Sequence, residues 1–216
     1  MVQRFQIRAG AVRDIPTIHA MLRGLAKYER LLDRFHATRS SIRRDGFRGR
    51  RHFRTLICWR DRTPVGLAVY LFTYSTFNAR PTLYVEDIFV WPRHRGLGAG
   101  QTLLAALARI AVRKGCARME WTVLNWNTPA IRFYQRLGAR LRKEWILTSL
   151  ADAPLLRLAR AHPADRTPGG RPVHAGPRRA ELRGSGSNVT LVLPSRDLPA
   201  PAGPPGAGSP RRARSR

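Results

Sequence analysis

Cysteine is nearly absent from this 216-residue chain, with only Cys58 and Cys116 present. Each sits inside a strand-like run. A disulfide framework or a metal site is therefore not expected, and reduced thiols in a cytoplasmic protein are the plain reading. Long apolar stretches are missing too. No run approaches the roughly 18 residues of a membrane helix, so no membrane span is expected. The opening M-V-Q-R-F-Q-I-R reads as a strand and lacks the apolar centre of a secretory leader. Lysine is scarce, since only Lys27, Lys114 and Lys143 occur among 40 basic residues, and acids number just 13, for a net charge of +27. Up to Ala161 there are 30 basic and 10 acidic residues, and the last 55 residues hold 10 and 3. Such a field attracts polyanions. The arginines are nevertheless scattered, without the interleaved aromatics of an RNA-binding surface, so non-specific attraction to nucleic acid is all the charge predicts.

What is present is concentrated in residues 84–101, Y-V-E-D-I-F-V-W-P-R-H-R-G-L-G-A-G-Q. Val, Ile, Phe and Trp make its first half a strand, and Pro92 ends the ladder. A glycine-rich turn follows through Gly96, Gly98 and Gly100. The spacing of Leu103, Leu104, Leu107, Ile110 and Ala111 then predicts a helix with one apolar face. Unpaired N–H groups and the positive end of the helix dipole converge at such a turn, which suits an anion. Glycine alone does not separate that site from an ordinary strand-to-helix turn. The spacing Arg95-x-x-Gly98-x-Gly100 is neither a dinucleotide fingerprint nor a P-loop.

Alternation at Phe5, Ile7 and Ala9 predicts the first strand. A helix starting near Asp14, with Pro16 in its first turn, buries Ile15, Ile18, Met21, Leu22 and Leu25. A short second helix is expected over residues 40–45. Strands over 53–59 and 65–72 form a hairpin about the turn 61–64, and a loop over 73–81 leads into the glycine-turn strand. After its helix, residues 117–124 return as a strand. Asn127 caps a further helix, with Pro129 in its first turn and Gly138 at its end. Asn127, Ala130 and Tyr134 share one face of it. A last strand is expected over 144–150, then an amphipathic piece over 155–158.

From His162 the composition changes. Eighteen of the last 55 residues are Gly or Pro and aromatic residues vanish. The chain thus divides into a domain over 1–161 and a basic tail over 162–216 that is expected to be disordered, with one isolated apolar run at 188–193.

The order β-α-α-β-β-β-α-β-α-β, the turn Arg95-x-x-Gly98-x-Gly100 and the later Asn127-x-x-Ala130-x-x-x-Tyr134 resemble a GNAT N-acetyltransferase domain over residues 4 to 150. Four further stretches sharpen the likeness: L-A-K-Y-E at 25–29, D-G-F at 45–47, Y-L-F-T-Y at 70–74 and L-Y-V-E-D-I-F-V at 83–90. Together they resemble the spermidine/spermine N-acetyltransferase branch, which includes thialysine acetyltransferases. The resemblance implies an α/β (α+β) fold with a mixed, mostly antiparallel central sheet flanked by helices. It also implies acetyl-CoA as cosubstrate, no metal, a homodimer, and direct transfer to a small-molecule primary amine (a polyamine, a diamine or a thialysine-like amino acid).

An amine attacks a thioester only as the neutral base, so a carboxylate must attract the ammonium ion and accept its proton. The resemblance places that base at Glu86, and the competing role is a structural salt bridge. Tyr134 is the candidate general acid for the departing thiolate, and its competing role is a packed core ring. The implied CoA-binding residues are Ile88, Phe89 and Val90 for the pantetheine arm, then Arg95, Gly96, Leu97, Gly98, Ala99, Gly100 and Gln101 for the pyrophosphate. Asn127, Thr128, Pro129 and Ala130 would hold the far end of the arm. The implied acceptor site comprises Tyr28, Glu29, Asp87, Glu120, Trp121, Thr122 and Trp145. Electrostatics depart from that pattern, because a polyamine enzyme wants an acidic approach while this domain is near +20 and Arg142 and Lys143 precede Trp145. A protein or peptide N-acetyltransferase, and a non-catalytic basic nucleic-acid-binding protein, are the alternatives from other classes.

Overall fold

A computed structural model of the chain describes residues 5–161. The tail from His162 onward, including the run at 188–193, lies outside the described residues. The elements are β1 (Phe5–Ala9), α1 (Ile15–Tyr28), α2 (Arg39–Phe47), β2 (Arg54–Arg60) and β3 (Thr63–Ser75). They continue with β4 (Arg80–Val90), α3 (Ala99–Arg113), β5 (Arg118–Glu120), α4 (Thr128–Arg136) and α5 (Asp152–Ala161). Strands lie side by side in chain order, antiparallel except for β4–β5, where the crossover through α3 makes the pair parallel.

Each sheet face is covered. Ile15, Ile18 and Met21 of α1 and Ile42 of α2 pack on Ile57, Leu67, Val69 and Phe89. On the opposite face, Leu103, Leu104, Leu107 and Ala111 of α3 join Tyr134 of α4 over Leu56, Ala68, Tyr70, Leu83 and Val85. Ile18, Ile57, Leu67, Leu83, Leu103 and Leu107 are fully buried. Each contributes about 1.5–3 kcal/mol relative to exposure, so β4 is clamped from both sides. Gly24 sets how closely α1 approaches, because a Cβ there would stand 2.8 Å from the Trp91 ring and 3.0 Å from Phe89.

Several boundaries differ from expectation. The hairpin turn is tighter, with Asp61 at φ 53° and strands that extend to Arg60 and from Thr63. The predicted loop over 73–81 shrinks, because β3 runs to Ser75 and β4 starts at Arg80. β5 is only Arg118–Glu120, paired to Thr82, Leu83 and Tyr84, instead of spanning 117–124. Residues 144–150 form no strand. The ladder on β5 is only three residues long, Arg118–Glu120, so the sheet edge expected to pair with them is shortened. The amphipathic piece over 155–158 is part of the longer helix α5.

Candidate active site

The site begins with an irregularity in β4. Tyr70 is opposite Val85 and Val69 is opposite Asp87, which leaves Glu86 as the extra residue of a β-bulge. A bulge bends its strand and shifts the side-chain alternation by one. Leu83 and Val85 therefore join the α3-side core, while Asp87 shares the face of Val69 and Phe89 toward α1. β4–β5 pairing ends two residues before the bulged Glu86, at Tyr84–Glu120. Beyond it, the β4 edge turned away from β3 has no strand partner among the described residues.

Three acids meet where the strands part. Asp87 is surrounded by protein yet keeps part of its surface open to a cavity of about 250 Å³ that Glu29 also lines. Burial, then the charges of Glu86 and Glu29, push its carboxyl up to about 7. Desolvation also raises Glu29 and Glu86, although Glu86 keeps much of its surface accessible. Asp14, Asp45, Glu120 and Glu144 each pair with an arginine. Glu29, Glu86 and Asp87 form no ion pair among the described residues, so a structural salt bridge at Glu86 is not what the fold provides.

Helix α4 supplies the opposite wall. Tyr134 is 7 % exposed and packs edge-on against Trp121, with ring centroids 5.1 Å apart. Burial, then Glu29 and Tyr28, push its phenol up to about 12. The Tyr28 hydroxyl donates to Asn127 Oδ1 at 3.1 Å, tying the end of α1 to the start of α4. The same Asn127 oxygen accepts from the Ala130 amide at 3.4 Å as the helix cap. Arg95 stacks over the Tyr28 ring at 4.3 Å and donates from Nε to the Val90 carbonyl at 3.0 Å. The glycine turn thereby touches the acceptor side directly.

In that turn Gly96 has φ 74°, and Gly98, at φ 93°, is the N-cap of α3. No side chain caps the first turn. The amides of Ala99, Gly100 and Gln101 are left for an anion, with Arg93 and Arg95 adjacent. These features fit the pyrophosphate of CoA, and the unpaired β4 edge at Ile88–Phe89–Val90 fits an extended amide-bearing arm. Phe89 and Ala99 have buried side chains, so they face such a ligand only through backbone. Leu97 is exposed, and Thr128 and Pro129 form the first turn of α4.

Not every predicted acceptor residue is gathered here. Glu120 is held by Arg118, and Trp121 and Thr122 follow on the irregular strand extension. Trp145 is 42 % exposed, with no ring contact to the cleft. Arg142 pairs with Glu144. Conversely, Arg34, Leu31 and Phe35 line the acidic cavity and were not singled out from sequence. They fall in a short 3-10 turn and its flanks, with neither motif nor periodicity to mark them.

The family described as Acetyltransferase (GNAT) family matches residues 20–139. Thialysine N-epsilon-acetyltransferase of Sus scrofa is 37% identical over 142 residues, covering 62% of this chain and 83% of that protein. Spermidine/spermine N(1)-acetyltransferase-like protein 1 of Homo sapiens is 34% identical over 142 residues, covering 62% of this chain and 20% of that protein. The fold is shared with aminoglycoside N-acetyltransferase AAC(6')-Iy in complex with CoA, at TM-score 0.57 and 21% identity over 69% of this chain and 96% of that one. Bulged strand, uncapped glycine turn and buried helix tyrosine thus occur in a chain that belongs to the GNAT acetyltransferase family, enzymes that pass an acetyl group to amines.

Proposed function

We propose that this protein acetylates the primary amine of a small molecule (a polyamine, a diamine or a thialysine-like amino acid) by direct attack in a ternary complex. One observation carries the reading. In a domain with 30 basic residues against 10 acidic ones, Glu29, Glu86 and Asp87 converge and form no ion pair with an arginine among the described residues. Such a cluster is matched by an external cation, and an alkylammonium ion is one.

Acetyl-CoA supplies the acetyl thioester. Its pyrophosphate would rest on the amides of residues 96–101, its arm along Ile88–Phe89–Val90, and Asn127 would hold the far end. Glu29 attracts the ammonium ion, joined by Asp87 in its ionised form, which the bound cation favours. Glu86 takes its proton, directly or through water, because its raised pKa makes it a stronger base than a free carboxylate. Tyr134 remains protonated throughout the working range and donates to the leaving sulfur. Neither cysteine serves as a nucleophile, and burial pushes the Cys58 thiol up to about 11.

The recess lined by Glu29 and Asp87, about 250 Å³, has room for a small amine. Free thiols at Cys58 and Cys116 support a cytoplasmic setting. Assembly as a homodimer is supported by exposed apolar residues after α4, with Ile146 86 % exposed and Leu147, Leu155 and Leu158 about half exposed. Sedimentation as a monomer at micromolar concentration would contradict it. The function itself is tested by CoA-thiol release over diamines, polyamines, diamino acids and peptides. Turnover with small amines is expected. Turnover confined to peptides, or nucleic-acid retention with no turnover, would overturn the reading.

A further inference from the structure

The acidic cavity also holds a positive charge. Glu29 and Asp87 line it together with Arg34, over an apolar wall that includes Leu25 and Phe35. Arg34 lies on the 3-10 turn Leu32–Arg34, is exposed, and forms no ion pair among the described residues. Opposite charges that border one small cavity without touching leave room for a molecule carrying both complements. A diamine or polyamine can answer the acids but offers nothing to a guanidinium, and its second ammonium is repelled by it. A carboxylate meets that guanidinium with two parallel hydrogen bonds.

We infer that Arg34 is the specificity-determining residue of the acceptor site: it reads the carboxylate of a diamino acid whose side-chain amine is held by Glu29 and Asp87. This deepens and rests on the acetyl-transfer reading above. Arg142, near Trp145, is already paired with Glu144, whereas Arg34 borders the acids themselves.

The test compares each diamino acid with its decarboxylated diamine, such as ornithine with 1,4-diaminobutane and lysine with 1,5-diaminopentane. Initial rates of thiol release are measured for wild type, Arg34→Gln and Arg34→Lys, with melting curves for each. Wild type should prefer the amino acid. Arg34→Gln should lower kcat/KM for the amino acid about 10- to 100-fold, chiefly through KM, the size expected for a charged hydrogen-bonded pair. It should raise kcat/KM for the diamine roughly two- to fivefold as a repelling charge leaves. Arg34→Lys should restore part of the amino-acid preference. Both variants should melt with the wild type, because the side chain is exposed. Equal loss on both acceptors, or an unchanged ratio between them, overturns the role of Arg34 while leaving acetyl transfer intact. Absence of turnover with every amine in wild type would remove the acetyl-transfer reading itself.

Discussion

Ionising Asp87 adds negative charge beside Glu86 and Glu29 in a poorly solvated recess, and the fold accordingly favours its protonated form. Its carboxyl moves from an ordinary 3.8 to about 7. The sign follows from linkage: the stabilising contribution is complete below the ordinary value and is lost as pH rises through about 7. At 1.36 kcal/mol per pH unit the loss has a ceiling of about 4 kcal/mol. Water reaching the open part of the group reduces it to about 1–2 kcal/mol. Asp87→Asn should therefore gain about 1–2 kcal/mol on wild type between about pH 5 and about pH 9 in denaturant melts. An identical difference at both pH values would show that Asp87 does not carry this coupling. The four residues proposed to carry the chemistry could be named from sequence because motif and residue type coincide there: Glu86 and Asp87 stand on the strand before the turn, Glu29 ends the first helix, and Tyr134 follows a capping asparagine. Arg34 was not legible, because its role comes from a cavity that forms only when α1 packs on β4.

Element by element, periodicity recovered what burial dictates. The apolar stripes of α1 and α3 are the ones buried on opposite faces of the sheet. The bulge at Glu86 could not be read from sequence, because it depends on how β3 and β4 pair. The short β5 and the missing strand over 144–150 share that origin, since both depend on where a ladder ends. The glycine turn was legible as a pattern, and its geometry supplies the reason. Gly98 holds φ 93° at the helix N-cap, where a Cβ costs about 1–2 kcal/mol. Gly98→Ala should destabilise the domain by about that much, and it should raise KM for acetyl-CoA at least about tenfold by turning amides away from the pyrophosphate. Calorimetric titration with CoA checks it. Unaltered CoA affinity would mean that this turn does not hold the pyrophosphate.

At the scale of the whole molecule two fields compete. The domain to Ala161 is near +20, which slows the encounter of a polycation, and the repulsion is screened by salt. Within a few ångströms of the reacting carbon the three acids act with little screening. Polyamine kcat/KM should therefore rise with ionic strength, whereas a diamino acid, which carries a smaller net positive charge, should show a weaker rise. Rates at about 0.02 M and 0.15 M salt separate the cases, because the Debye length shortens severalfold between them. A polyamine rate that is high at low salt and falls on adding it would show that the acidic cleft governs the field at long range as well.

In the proposed mechanism Glu86 takes the acceptor's proton beside Glu29 and Asp87, three acids that form no ion pair among the described residues. The most direct measurement is the pH dependence of kcat/KM for Glu86→Gln beside wild type, with CoA affinity measured in parallel. Glutamine keeps the shape at the bulge and cannot accept the proton. A fall of about 10²–10⁴-fold in kcat/KM at neutral pH is expected, with loss of the acidic limb of the profile and CoA affinity close to wild type. Near wild-type turnover at neutral pH, with the acidic limb retained, would contradict it.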